Sequence, residues 1–399
     1  MIDSNLVRKD FKIFEDNKNI YFDNSSTTQK PNIVIKGINE YYNNYCSNTG
    51  RGNYKWENIS TKKVEETRQK VADFINANDK SEILFTSGST FSSNMIAYSY
   101  GLNNLNDSDE IILCEEDHKS TVLPWINISK ILRKSSINVN IISSLIDRQG
   151  DYIEDDLIRK VNKNTKIIVL THIHNVYGIE MNIEYIVKYV REKNSDCVIV
   201  LDASQSVGHI KIDVKKLDVD FLYFSGHKMF ADTGIGVLYV NKKVLSKMNP
   251  FIVGGGYDEV INRFECGTQN ISGIISLGLA IDYIQDVGIE NIEEYLTYIT
   301  GYLITRLSEL EEVEFEKGAA VCKCRIGYGI VSFYVNNISS QDINDILKDN
   351  NIYVRTENYC TVRDFKNSIR VSLHIYNTKE EIDRFVSLLK YIIRVHKEG

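Results

Sequence analysis

The chain is poor in proline: Pro31, Pro124 and Pro250 are the only three in 399 residues. Proline removes a backbone donor and fixes φ, so its scarcity leaves long stretches free to build helices and strand ladders. A disulfide framework is missing too. Seven cysteines, an odd number, are scattered from Cys46 to Cys360, a spread that points to a reducing compartment. Cys322 and Cys324 form the one close pair. They have no Cys or His partners at ligand spacing, so no metal is expected. Positive charge is short, with 47 Lys+Arg against 54 Asp+Glu for a net −7; nucleic acid, which demands a basic surface, is excluded as a partner. No run reaches the roughly 18 apolar residues of a membrane span, and residues 1–10 have no apolar signal core, so the expected location is the cytoplasm, with no membrane partner. There is no G-x-G-x-x-G fingerprint and no Walker A lysine, which argues against a dinucleotide or P-loop site.

What is present is an ordinary globular composition, 43% apolar and 25% charged, long enough for a large domain plus a smaller one. Residues 1–20 read as a polar segment. From residue 82 onward, apolar runs alternate with helical patterns. Strands are predicted at 82–86, 111–114, 138–143, 166–171, 197–202, 220–224 and 235–240. Between them 182–193 is the clearest helix, with Ile183, Ile186, Val187 and Val190 on one face. This predicts an α/β fold: a mostly parallel seven-stranded sheet flanked by helices. After Pro250 the texture changes. Helical stretches at 272–287 and 290–311, strands near 328–335 and 368–374, and a closing helix from Thr378 predict a smaller α+β C-terminal domain. Thr378 and Glu381 have capping-box spacing.

The chemistry centres on residues 221–236. The apolar run Phe221 to Phe224 empties into Ser225-Gly-His-Lys228. A lysine at the end of a buried strand is badly placed for a solvated ammonium and often has shifted ionisation or a covalent partner. Upstream, the strand Cys197 to Leu201 ends in Asp202-Ala-Ser-Gln205. A lysine at one strand end and a carboxylate at another are what pyridoxal phosphate requires: the lysine forms the Schiff base, the carboxylate pairs with the pyridinium nitrogen. Thr86-Ser-Gly-Ser-Thr90 opens a helix after a strand and offers hydroxyls and N–H groups to an anion. His118 follows the strand 111–114, where an imidazole can stack on a flat ring. Gln205 and Asn175 are placed to reach the ring's phenolic oxygen. Taken singly, each is an ordinary polar cap on a strand end; taken together they converge on one site, as ligands do at the carboxyl edge of such sheets.

These residues resemble the class V aminotransferase family of fold-type I pyridoxal-phosphate enzymes, nearest to cysteine desulfurases and selenocysteine lyases. The resemblance runs through Tyr21-Phe-Asp-Asn24, Gln29-Lys-Pro31, Arg51-Gly52, Thr171-His-Ile-His-Asn-Val-Tyr-Gly178, Leu201-Asp-Ala-Ser-Gln205, Ser225-Gly-His-Lys228, Thr233-Gly-Ile-Gly236, Arg263-Phe-Glu-Cys-Gly-Thr268, Val354-Arg-Thr356 with Cys360, Arg370-Val-Ser-Leu373 and Tyr376-Asn-Thr378. It implies an N-terminal segment, 1–20, packing on the small domain; a large cofactor-binding domain, 21–265; and a small domain, 266–399, that carries a catalytic-cysteine loop. Lys228 becomes the Schiff-base lysine and α-carbon base, and His118 the ring-stacking histidine. Cofactor contacts fall on Ser89, Thr90, Asn175, Asp202, Gln205, Ser225 and His227. Thr268 reaches the phosphate in the neighbouring subunit, which implies a homodimer. Substrate contacts fall on Ser26, Arg51, Asn175, Arg355 and Arg370, the last holding the substrate carboxylate.

By the same resemblance Cys360 takes sulfur from L-cysteine as a persulfide, releasing L-alanine, for a possible sulfur-acceptor protein. Arg355 and Arg363 are near enough in sequence to favour its thiolate. The loop departs from the family pattern: Glu357 stands where a glycine follows Arg-Thr, and Gly50 and Tyr54 stand where histidines flank Arg51-Gly52. Two other readings follow from those departures: another class V enzyme (C–S lyase, selenocysteine lyase, epimerase or aminotransferase), or a non-catalytic protein docking on sulfur-transfer partners.

Overall fold

The computed structural model describes residues 2–16, 18–50, 52–146, 153–255, 263–316 and 328–398. Arg51, the Cys322/Cys324 pair and the segment 256–262 lie outside the described residues.

A short strand, β1 (Ile20–Tyr21), precedes the main sheet. That sheet has seven strands: β2 (Ile83–Thr86), β3 (Glu110–Cys114), β4 (Asn140–Ser144), β5 (Thr165–Thr171), β6 (Val198–Asp202), β7 (Phe221–Ser225) and β8 (Gly236–Val240). Their order is β2-β8-β7-β6-β5-β3-β4. β8 runs antiparallel to both neighbours and every other pair is parallel. The seven predicted strands are therefore all present, shifted by no more than two residues at either end.

The inner strands read as continuous apolar runs because both faces are covered, whereas the edge strand β4 is only partly covered. Ile83, Phe85, Ile168, Leu170, Leu222 and Phe224 belong to one core. Their chain neighbours Leu84, Ile167, Val169, Phe221 and Tyr223 belong to another. Trp125 and Ile128 of the helix Lys119–Lys134 close the second core. Ile186 and Val190 of the helix Ile183–Lys193 close the first. The first core continues unbroken into Val331, Phe333, Val371 and Leu389 of the C-terminal part.

In that part β9 (Val313–Phe315) and β10 (Ile330–Val335) are followed by β11 (Ile352–Tyr353), β12 (Arg355–Thr356) and β13 (Ile369–Ser372). An antiparallel sheet forms in the order β12-β13-β10-β9. β11 leaves it and pairs parallel with β1, which ties the N-terminus to the C-terminal part. The closing helix Lys379–Glu398 has the predicted cap: Thr378 N–H donates to Glu381 Oε2 at 3.1 Å and Glu381 N–H to Thr378 Oγ1 at 3.3 Å.

The first residues are less simply polar than the sequence reading has them. Phe11 is fully buried against the rings of Phe230 and Tyr376, at 5.8 and 4.7 Å. Arg8 pairs with Glu381 at 2.7 Å and donates to Tyr376 O at 3.0 Å. This segment thus touches both the turn after Lys228 and the C-terminal part.

Candidate active site

Parallel β3, β5, β6 and β7 all present their carboxyl ends to one edge of the sheet. The cavity there, about 270 Å³, is lined by Ser26, Ser89, Thr90, His118, Asn175, Asp202, Gln205, Ser225, His227, Lys228, Arg355, Cys360 and Arg370. Of the described residues singled out from the sequence for the site, it gathers all except Thr268 and Arg363. A larger cleft, about 530 Å³, lies at His172, Glu180, Lys211 and Lys216. It contains none of the convergent strand-end residues, and its Lys216 is already paired with Glu184 at 2.7 Å. The chemistry therefore points to the smaller cavity.

Lys228 sits in the turn after β7. Burial, with the Arg370 guanidinium as a lesser cause, pulls its amine down to about 8, although Asp202, Cys360 and Asp23 act in the opposite direction. The turn is held by the N-terminal loop: Thr28 N–H donates to His227 O at 2.9 Å, and Phe230 N–H donates to Thr28 Oγ1 at 2.8 Å. Phe230 has φ of 71°, a left-handed conformation that a bulky residue enters only when its surroundings impose it.

The Asp202 carboxylate is oriented at both oxygens. Thr121 Oγ1 donates to Oδ2 at 2.6 Å, and Ser204 N–H donates to Oδ1 at 2.9 Å. His118 caps the helix Lys119–Lys134, its Nδ1 accepting from Ser120 N–H at 3.1 Å. Nδ1 is thereby an acceptor, and burial followed by the Lys228 charge holds the imidazole down at about 4. At neutral pH the ring is uncharged and carries its proton on Nε2.

A cluster of hydroxyls fills one end. Ser89 N–H donates to Ser225 Oγ at 2.8 Å, and Ser89 Oγ lies 2.6 Å from Ser204 Oγ. Thr90 Oγ1 lies 2.7 Å from Ser120 Oγ. These sit at the N-terminus of the helix Ser89–Ile96. Two glycines permit this corner: Gly88 has φ of 143°, and a Cβ on Gly236 would come within 2.5 Å of the Gly88 Cα. Burial lowers the neighbouring His227 to about 4.

At the other end, Asp23 holds two arginines. Arg355 NH2 donates to Asp23 Oδ2 at 2.9 Å, and Arg370 NH2 donates to Oδ1 at 3.2 Å. Arg370 also donates to Asn175 O at 2.9 Å and Ser26 Oγ at 3.0 Å. One carboxylate between two guanidiniums leaves a net positive corner suited to an anion. Buried Arg370 Nε, Asn175 Oδ1, Thr171 Oγ1 and Ser25 Oγ have no partner among the described residues. Buried polar atoms are rarely left so, and these four border the site.

Cys360 is exposed and free. Its segment is fastened by Asn175 Nδ2, which donates to Tyr359 O at 3.0 Å, and by Lys119 N–H, which donates to Cys360 O at 2.7 Å. Glu357 faces elsewhere, accepting from Ser340 Oγ at 2.9 Å and Asn367 N–H at 3.2 Å. Its φ of 56° is the left-handed conformation that the family's glycine would take freely. The expectation that Arg363 attends the thiolate is corrected: its NH1 donates to Glu116 Oε2 at 2.8 Å, and a charge engaged there is not aimed at Cys360.

Thr268 lies outside the Lys228 cavity, exposed, near a separate depression with Phe264 and Cys266. Sequence reasoning passed over Asp23, Ser204, Ser120 and Tyr359. Asp23 and Ser204 stand inside quoted motifs, so their signal was available. Ser120 and Tyr359 carried none, because only packing brings them to the cavity.

The profile of the class-V aminotransferase family matches residues 20–385. A probable cysteine desulfurase of Borreliella burgdorferi is 38% identical, covering 98% of this chain and 96% of its own. The solved apo structure of cysteine desulfurase from Thermococcus onnurineus NA1 is 32% identical, covers 99% of this chain and 98% of its own, and superposes with a TM-score of 0.90. A cystine C–S lyase complexed with its product cysteine persulfide, at 21% identity and a TM-score of 0.82, shares the fold, with coverage of 95% and 98%. With that match across nearly its whole length, the chain belongs to the class-V aminotransferase family.

Proposed function

We propose that this enzyme is a pyridoxal-phosphate-dependent cysteine desulfurase, which converts L-cysteine to L-alanine and carries the sulfur as a persulfide on Cys360. One observation carries the reading: Lys228, Asp202, Arg370 and Cys360 share one cavity. The cofactor fits the residues present. Ser89, Thr90, Ser225 and His227 with the helix N-terminus suit a phosphate, Asp202 a pyridinium nitrogen, His118 a ring face, and Gln205 and Asn175 its polar edge. The unpartnered Asn175 Oδ1, Thr171 Oγ1 and Ser25 Oγ support a polar ligand here.

When bound, the cofactor supplies an electron sink for the substrate α-carbon and is anchored covalently through Lys228. The rest falls to the chain. Arg370, steadied by Asp23, holds the substrate carboxylate. Lys228 Nζ, its proton affinity lowered by burial to about 8, takes the α-proton and returns one to carbon. Neutral His118 keeps charge off the ring face. Cys360 Sγ, as thiolate, attacks the substrate sulfur: an S–S bond forms, the C–S bond breaks, and its electron pair stays on carbon, which takes up a proton to become the methyl group of alanine. The enzyme keeps S–SH, and a sulfur-acceptor protein or a thiol removes it.

The same reading takes Thr268 as a contribution to the partner subunit's site in a homodimer, which its exposure outside the Lys228 cavity supports. It divides the chain into 1–20, 21–265 and 266–399, with the helix Ile271–Val287 as bridge between the two bodies. Among the described residues no helix is long and apolar enough to cross a membrane. Free Cys46, Cys114, Cys197, Cys266 and Cys360 suit a reducing cytoplasm.

The test is release of sulfide and alanine from L-cysteine with a thiol reductant, comparing the native chain with Cys360→Ala. Equimolar products, lost in the variant, and a mass gain of one sulfur on Cys360 support the proposal. No alanine from a yellow, cofactor-loaded protein sinks it. Full turnover without Cys360, with pyruvate and ammonia in place of alanine, favours the second reading, a C–S lyase.

A further inference from the structure

Arg363 does not line the cavity, yet it joins the segment carrying Cys360 to two of the loops that build it. Its NH1 donates to Glu116 Oε2 at 2.8 Å and to Tyr177 OH at 2.9 Å; Tyr177 OH in turn donates to the same Glu116 oxygen at 2.6 Å. The guanidinium also lies over the Phe365 ring, 5.0 Å from its centroid. Glu116 stands two residues before His118 and Tyr177 two residues after Asn175. A charge-assisted triad of this kind is stronger than a lone surface pair, because each member orients the next.

The segment needs such a tie. Glu357 and Cys360 have φ of 56° and 58°, left-handed conformations that cost a residue with a side chain. Its ties to the loops around the cavity are few: Asn175 Nδ2 donates to Tyr359 O, and Lys119 N–H donates to Cys360 O within an antiparallel bridge of His118 with Thr361. Lys119 opens its helix, so its N–H has no acceptor within the helix and turns to Cys360. Loss of the side-chain triad would leave the left-handed backbone at the exposed Cys360 tied to those loops by these contacts alone.

We infer that Arg363, Glu116 and Tyr177 form a latch that positions Cys360 over the cavity. The latch acts through the segment, so its members are positioning residues and not catalytic ones. Its consequence for turnover rests on the desulfurase reading; its existence does not.

The experiment uses the cofactor-loaded full chain and reads two quantities. The first is hydrogen exchange at the Lys119 amide and across 358–365, measured without substrate. The second is kcat and KM for alanine release from L-cysteine. Arg363→Met and Glu116→Gln should each speed exchange at these amides roughly tenfold, with the helix Ile183–Lys193 unchanged as a folding control. Both should lower kcat roughly tenfold and leave KM within about twofold, since Arg370 and Asn175 are untouched. The reversed pair, Glu116→Arg with Arg363→Glu, should recover exchange protection and kcat that each reversal alone loses. Unchanged exchange in Arg363→Met overturns the latch. Faster exchange with unchanged kcat overturns its positioning role. If the native chain makes no alanine, the desulfurase reading fails on its own, and the exchange data still decide the latch.

Discussion

Replacing Lys228 by methionine should stabilise the cofactor-free protein at neutral pH. Lys228 is lowered from its ordinary 10.5 to about 8, chiefly by burial. At about 1.36 kcal/mol per tenfold change in proton affinity, that displacement corresponds to about 3 kcal/mol of folding stability lost in keeping the ammonium inside. Lys228 is half-buried and faces the cavity, so solvent screening makes about 3 kcal/mol a ceiling. The sign follows from proton counts. Between about 8 and 10.5 the unfolded chain binds the proton and the folded chain does not, so stability rises with pH across that window. Below 8 both states are protonated and the penalty is complete. Methionine has similar length and no charge, so it removes the penalty without opening a large cavity. The assay is urea unfolding of both proteins, stripped of cofactor, from pH 7 to pH 10.5. The variant should be more stable by about 1 to 3 kcal/mol at pH 7, with the curves converging toward pH 10.5. Parallel curves over the whole range, or a less stable variant at pH 7, would refute the claim that Lys228 is held against its own desolvation.

Arg370→Lys should raise KM for L-cysteine about 30-fold, because an ammonium cannot replace a planar guanidinium that binds Asn175 O, Ser26 and Asp23 together; steady-state kinetics check this. Arg68→Met should cost about 3 to 5 kcal/mol in urea unfolding, since it strands Glu265, which Arg68 holds at 2.8 and 2.9 Å inside the protein. Adding Glu265→Leu should recover most of that loss. Glu357→Gly should stay within about 1 kcal/mol of the native chain, whereas Glu357→Val should lose at least about 2 kcal/mol, because a β-branched residue resists a φ of 56°.

The main sheet was legible because its signal is local. A strand covered on both faces reads as a near-continuous apolar run, which made the inner strands plain; the edge strand β4, Asn140–Ser144, is only partly covered and had its signal in Ile141 and Ile142. The lysine and aspartate were legible for a related reason: each ends one of those runs, and parallel strands bring their ends together. The capping box at Thr378 needed only a spacing of three. Arg363 was misread for the opposite reason. Nearness to Cys360 along the chain says nothing about which carboxylate a long side chain will meet, and Glu116, 247 residues away, claimed it.

The amino-acid order by itself thus determined the doubly covered sheet, the lysine, aspartate and histidine at its carboxyl edge, and the family whose motifs they match. These depend on periodicity and on short motifs, which a linear text retains. Tertiary structure alone decided that Asp23 serves both Arg355 and Arg370, more than 300 residues away along the chain. It alone joined Ser204 to Ser89 and Ser225 in one hydroxyl cluster and gave Glu357 a glycine's backbone conformation. Such pairings are settled by which surfaces remain adjacent once the cores have packed, and no local rule of sequence encodes that adjacency.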